Sequence, residues 1–115
     1  MFNYKMVDQD KLVYHTIIAE EEVPEGQQIF FMLDDLPMVI FNIAGTYYAI
    51  ADQCSHDGGP VGEGELNGTE IKCPRHGARF DLNTGKALSM PATVDIPAYP
   101  VRIKDGQIQV GVPRN

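Results

Sequence analysis

Two short segments of this 115-residue chain hold both of its cysteines and two of its three histidines. The first reads Cys54-Ser55-His56 and the second Cys73-Pro74-Arg75-His76, with residues 57–72 between them. Thiolate and imidazole are soft or borderline donors suited to iron or zinc, and each segment supplies one of each. Two mixed pairs of this kind can hold a two-iron cluster, with thiolates on one iron and imidazoles on the other. They could also hold a structural zinc, although zinc knuckles usually pair like residues with like, as C-x2-4-C and H-x3-5-H. A Cys54–Cys73 disulfide is a third possibility; it would leave the histidines without a role and needs an oxidising compartment. The fourth is two unrelated buried cysteines beside two surface histidines.

The stretches that must position these segments read as strands. Leu12–Ala19 is rich in β-branched residues, and Gln28–Leu33, Pro37–Ile43 and Thr46–Ala51 follow it. Ala44-Gly45 is a hairpin turn, and Asp105-Gly106 joins Val101–Lys104 to Gln107–Val110 in the same way. Pro24-Glu25-Gly26-Gln27 marks a turn, and Glu20-Glu21-Glu22 reads as a solvated one. Residues 52–69 contain five glycines and one proline, which predicts a loop with tight backbone turns. Glu70–Lys72 enters the second segment as a strand, Ala78–Leu82 leaves it as another, and Asn83-Thr84-Gly85 turns the chain. No segment shows a helical period of useful length. The pattern predicts an all-β sandwich or partly open barrel of short antiparallel strands. A single domain over residues 1–115 is expected, with the cysteine–histidine loops, residues 52–92, at two hairpin tips at one end.

Sixteen acidic against nine basic residues leave a net charge of −7. That excludes the basic footprint of a nucleic-acid binder and argues against an anionic membrane surface. It serves solubility and permits steering toward a partner with a basic face. The N-terminus has neither the apolar run of a signal peptide nor a twin arginine, and no stretch approaches the ~18 apolar residues of a membrane span. A cytoplasmic location is expected, where thiolates stay available to metal. His15 reads as a strand residue, and the five scattered methionines as packing. There is no nucleophile elbow, P-loop or dinucleotide fingerprint, so no turnover of an organic substrate is expected.

The motif Cys54-x-His56…Cys73-x-x-His76, with its flanks, resembles that of the Rieske [2Fe–2S] proteins. His56-Asp-Gly-Gly-Pro-Val-Gly-Glu-Gly64 follows the first pair, and Cys73-Pro-Arg-His-Gly-Ala-Arg-Phe-Asp-Leu-Asn-Thr-Gly85 spans the second. Met90-Pro91-Ala92 and Ala98-Tyr99-Pro100-Val101 fall where that family has its proline loop and closing strand. The resemblance implies one [2Fe–2S] cluster per chain, held by Cys54, His56, Cys73 and His76, with the loop around Pro91 covering its third side. A cluster with two thiolates and two neutral imidazoles is formally neutral when oxidised, so an added electron meets less repulsion than at an all-thiolate cluster. An imidazole edge can face solvent while its other nitrogen holds metal, which makes His56 and His76 the expected exit point. The glycines of both loops are expected to leave backbone amides pointing at sulfur.

Departures from the respiratory branch of the family are informative. Gly59 and Arg75 stand where that branch has an extra disulfide, Ala78 replaces a serine and Phe80 a tyrosine. Two sulfur-directed hydroxyls are therefore missing, which lowers the expected potential. The chain resembles the soluble, low-potential ferredoxins of ring-hydroxylating oxygenases. Such a protein is not itself an enzyme; it carries single electrons from a flavoprotein reductase to a terminal oxygenase. An alternative is the small Rieske-like subunit of a NAD(P)H-dependent nitrite reductase, many of which lack the ligands present here. A zinc-stabilised interaction module is the reading from a different class.

Overall fold

The computed structural model describes residues 3–55, 58–74, 77–90 and 94–114. Among the described residues, ten strands form three antiparallel sheets. They are β1 (Leu12–Ala19), β2 (Gln28–Leu33), β3 (Leu36–Ile43), β4 (Thr46–Ala51), β5 (Glu65–Asn67), β6 (Glu70–Lys72), β7 (Arg79–Asp81), β8 (Ala98–Tyr99), β9 (Val101–Lys104) and β10 (Gln107–Pro113). The four-stranded sheet runs β2-β3-β4-β8. The others run β1-β10-β9 and β5-β6-β7. Among the described residues the helical segments are single 3-10 turns, at Tyr4–Met6, Gln9–Lys11 and Glu20–Glu22.

The four-stranded sheet is the middle layer, and period-two alternation shows why. In β3 the side chains of Met38 and Ile40 join a cluster with Ala49, Ile108 and Val110, against the β1-β10-β9 sheet. Val39 and Phe41 point the other way, into a cluster with Ile71, Phe80 and Leu82 of the β5-β6-β7 sheet and its flank. A strand covered on both faces must be apolar throughout, and Met38 to Phe41 are each at most 1 % exposed.

Three hairpin turns place both central residues in the left-handed region that the strand twist favours. Ala44 and Gly45 have φ of 54° and 88°, and Asp105 and Gly106 have 54° and 76°. The third is Asp34-Asp35, with φ of 50° and 66°; it lacks glycine and escaped the sequence reading. Two other expectations are corrected. Residues 65–67, read as part of a glycine-rich loop, form β5. The closing segment is two strands: Pro100 separates β8, which pairs with β4, from β9, which pairs with β10. Proline has no N–H to continue a ladder, so the chain changes sheets there.

The N-terminus laces the layers together. Tyr4 stacks on Tyr99 with ring centroids 5.1 Å apart. Lys5 Nζ donates to Asn83 Oδ1 at 2.7 Å and sits 5.1 Å from the centroid of the Tyr48 ring. Among the described residues, no helix is long and apolar enough to cross a membrane.

Candidate metal centre

Cys54 follows the end of β4 and Cys73 lies between β6 and β7. The second loop is a hairpin connection, as expected. The first is not, because it carries the chain from the middle sheet to the β5-β6-β7 sheet. That crossover spreads the cysteines over two layers and returns them to one place. Both are 1 % exposed, both belong to the cluster of Ile71, Phe80 and Leu82, and no disulfide joins them.

The two loops repeat one hydrogen-bond frame. The Cys54 N–H donates to the Gly59 carbonyl at 2.7 Å, and the Gly58 N–H donates back to the Cys54 carbonyl at 2.7 Å. In the second loop the Cys73 N–H donates to the Ala78 carbonyl at 2.7 Å, and the Gly77 N–H to the Cys73 carbonyl at 3.1 Å. Gly58 and Gly77 share a φ of +76°, a value that favours glycine. The expectation that loop glycines aim their amides at sulfur therefore fails for these two, whose N–H groups close the frames instead. His56 and His76 fall within the frames in sequence; both lie outside the described residues, as do Arg75 and Pro91.

Neighbouring groups hold the frames in register. Asp52 Oδ1 accepts from the N–H groups of Val61 and Gly62 at 2.9 and 2.7 Å, pinning the far side of the first loop. The Gly62 carbonyl accepts from Gln28 Nε2 at 2.9 Å. Glu65 pairs with Lys72 in the β5–β6 ladder, tying the end of the first loop to the residue before Cys73. Arg79 hydrogen-bonds the next segment twice: its carbonyl accepts from the Leu88 N–H, and its N–H donates to Ser89 Oγ at 3.2 Å. The Ser55 hydroxyl donates to the Val94 carbonyl. Ser89 thus contacts the β7 side of the second loop, and Val94 contacts the first loop. Sequence reasoning overlooked Asp52 and Ser55. Their only signal was a hydrogen-bonding side chain within two residues of a candidate ligand, an acceptor at Asp52 and a donor at Ser55.

Ala78 and Phe80 are fully buried, so neither the missing serine nor the missing tyrosine position is open to solvent. Beside Cys73 an open cleft is lined by Glu63, Gly64, Glu65, Lys72, Pro74 and Gly77. A β-carbon on Gly77 would lie 3.3 Å from Lys72 Cε, so the lysine stem runs past this loop.

The donor chemistry fits an iron–sulfur group. Two soft thiolates arrive on separate loops of the same frame, and among the described residues no third His, Cys, Asp or Glu gathers with them into a hard-metal site. Fold and site together define a small all-β iron–sulfur domain. The chain belongs to the Rieske [2Fe-2S] domain family, which matches residues 13–100, and its cofactor is a [2Fe–2S] cluster. It is 42 % identical, over 80 % of its length and 87 % of the relative's, to the 3-phenylpropionate/cinnamic acid dioxygenase ferredoxin subunit of Escherichia coli K12. Among solved structures it resembles the ferredoxin of carbazole 1,9a-dioxygenase from Nocardioides aromaticivorans IC177, with a TM-score of 0.80 and 26 % identity. That match covers 89 % of this chain and 99 % of the other. The Sphingomonas yanoikuyae B1 ferredoxin gives a TM-score of 0.78 and 27 % identity, covering 88 % of this chain and all of the other. A chain in a complex of reduced oxygenase and oxidised ferredoxin in carbazole 1,9a-dioxygenase gives 0.79 and 27 %, covering 94 % and 98 %.

Proposed function

We propose that this chain is a single-domain electron carrier that takes single electrons from a flavoprotein reductase and delivers them to a terminal ring-hydroxylating dioxygenase. Cys54 and Cys73 hold one iron in this reading, and His56 and His76 the other. The observation that carries it is the repeated loop frame, which buries one thiol in each of two loops whose sequences each add an imidazole. The relatives named as dioxygenase ferredoxin subunits favour this role over that of a nitrite reductase subunit or a zinc module.

The bound cluster supplies a one-electron couple. The chain's own residues set how it is used. Burial of Cys54 and Cys73 keeps water from the thiolates, and Asp52 holds the first loop by two charge-assisted bonds. Rigid loops limit rearrangement as charge arrives. His56 and His76 are the exit, and the carrier's negative charge steers it toward a basic docking face. A cytoplasmic location suits the reduced thiols.

The test is reconstitution with a purified flavoprotein reductase and dioxygenase from the same organism. Substrate oxidation driven by NAD(P)H should depend on this chain and saturate with it. Oxidation that proceeds at full rate without the chain would refute the carrier role.

A further inference from the structure

The sheets present six edge strands, and five of them are blunted. β1 carries an irregularity between Thr16 and Ile18. β9 bears Arg102 and Lys104, and β8 has two residues with prolines on both sides. β5 and β7 are three residues long and charged. Proteins use such devices to stop an edge from pairing with another chain. β2 has none of them. It is six residues long, Gln-Ile-Phe-Phe-Met-Leu, without charge, proline or break in register.

Its outer edge is also open. Met32 is opposite Pro37, which has no N–H to give and whose carbonyl accepts from Asp52 on the β4 side. Met32 and, two residues away, Phe30 are therefore at non-hydrogen-bonded positions, with their N–H and C=O groups turned outward. Among the described residues nothing pairs with them. Their side chains are 63 % and 42 % exposed. The strand also touches the site: a β-carbon on Gly62 would stand 2.5 Å from Phe30 Cε1, so that ring lies on the first ligand loop.

Charge decides what fits. From Pro24 to Pro37 the only charged residues are Glu25 at one end and Asp34 and Asp35 at the other, all exposed. A second copy pairing antiparallel would set Glu25 against Asp34 and Asp35 twice over, between molecules that each carry −7. Like charges placed opposite one another in a ladder are destabilising. An apolar strand with basic residues at both ends meets no such repulsion.

We infer that β2 is a strand-addition site for an extended, apolar, basic-flanked segment of a protein partner. The partner's strand extends the middle sheet through Phe30 and Met32 and lies beside the first ligand loop. That the partner exchanges electrons rests on the function proposed above; strand addition itself does not.

The probe is the peptide acetyl-Lys-Thr-Val-Ile-Val-Thr-Lys-amide, with a Glu-flanked counterpart, added to the cluster-loaded protein. Hydrogen–deuterium exchange should slow over residues 28–33, and fluorescence anisotropy should show the Lys-flanked peptide binding about tenfold more tightly than the Glu-flanked one. Met32→Lys, an exposed change that blunts the edge, should abolish binding and leave the visible spectrum unchanged. No protection at residues 28–33, equal affinity for the two peptides, or self-association through β2 would each overturn the proposal. Peptide binding without electron delivery to an oxygenase would leave this site standing and remove the carrier role alone.

Discussion

The backbone of Gly64 lies against that of Lys72: a β-carbon on Gly64 would stand 1.9 Å from the Lys72 carbonyl oxygen. Atoms cannot approach so closely, and the obstacle is backbone rather than a flexible side chain. Gly64 ends the first ligand loop and Lys72 precedes Cys73, so this contact sets the spacing of the two loops. Gly64→Ala should force the loops apart, destabilise the protein by about 1–3 kcal/mol and lower the iron bound per chain. Thermal melting and iron assay check this; a variant with full iron and an unchanged melt would mean the loops are spaced by something else.

The ligand assignment predicts stoichiometry. Purified protein should contain about two irons and two acid-labile sulfides per chain. Cys54→Ser and Cys73→Ser should each lose the cluster, since a hydroxyl is a poor soft-metal ligand. Replacing His56 or His76 by Ala should do the same. Stoichiometric zinc in protein made with ample iron would contradict the assignment.

The midpoint potential should fall near the low end of the Rieske range, about −150 mV. Ala78 is buried in the second loop and offers no hydroxyl. Ala78→Ser should raise the potential, and a charge-assisted hydrogen bond of about 1.5 kcal/mol corresponds to roughly 60 mV for one electron. Protein-film voltammetry measures both. A native midpoint well above zero would defeat the argument from missing donors.

Electron delivery should slow as salt rises, because screening shortens the reach of a −7 carrier. Stopped-flow rates should fall steadily between low and physiological ionic strength. Bulky substitutions at Pro60 or Pro91 should slow transfer and leave the spectrum intact. If neutralising Glu20, Glu21 and Glu22 stops transfer while the proline variants are normal, the docking face is not at the histidine end.

Alkaline stability should depend on Tyr99. Burial, with a smaller contribution from Tyr4, pushes its phenol up to about 12 from 10.0. A folded-state value above the unfolded one favours the protonated, folded form. This stabilisation is complete below pH 10 and is lost as pH climbs toward 12. Urea melts between pH 9 and pH 12 should show a decline that Tyr99→Phe reduces.

The legible parts of this protein were those with local chemical signatures. Ala44-Gly45 and Asp105-Gly106 announced their hairpins because glycine accepts the left-handed backbone. Asp34-Asp35 adopts the same turn without glycine and left no such mark. β5 was hidden because Glu65, Leu66 and Asn67 are all exposed and show no alternation. The exchange of sheets at Pro100 depends on which distant strand each half meets, and no local pattern carries that. At the candidate site the motif and its spacing were readable, and of its four residues the structure describes Cys54 and Cys73. The frame closed by Gly58 and Gly77 was not readable, because the same glycines could equally have turned their amides toward sulfur.

The hydroxyl of Ser55 has a further consequence, for shelf life. Among the described residues, Val94 is fastened to the first loop by one hydrogen bond, between exposed partners, while Asp95 Oδ1 accepts from the Ala87 N–H and the Ile96 N–H donates to the Gly85 carbonyl. A single bond of this kind contributes about 1 kcal/mol, far less than unfolding three packed sheets. Oxygen and chelators would then reach the iron through local opening rather than through denaturation. The cluster's colour should accordingly fade faster in air in Ser55→Ala than in the native protein, with the melting temperature hardly changed. Reinforcing the core would give a protein that survives heat and still fades on the bench.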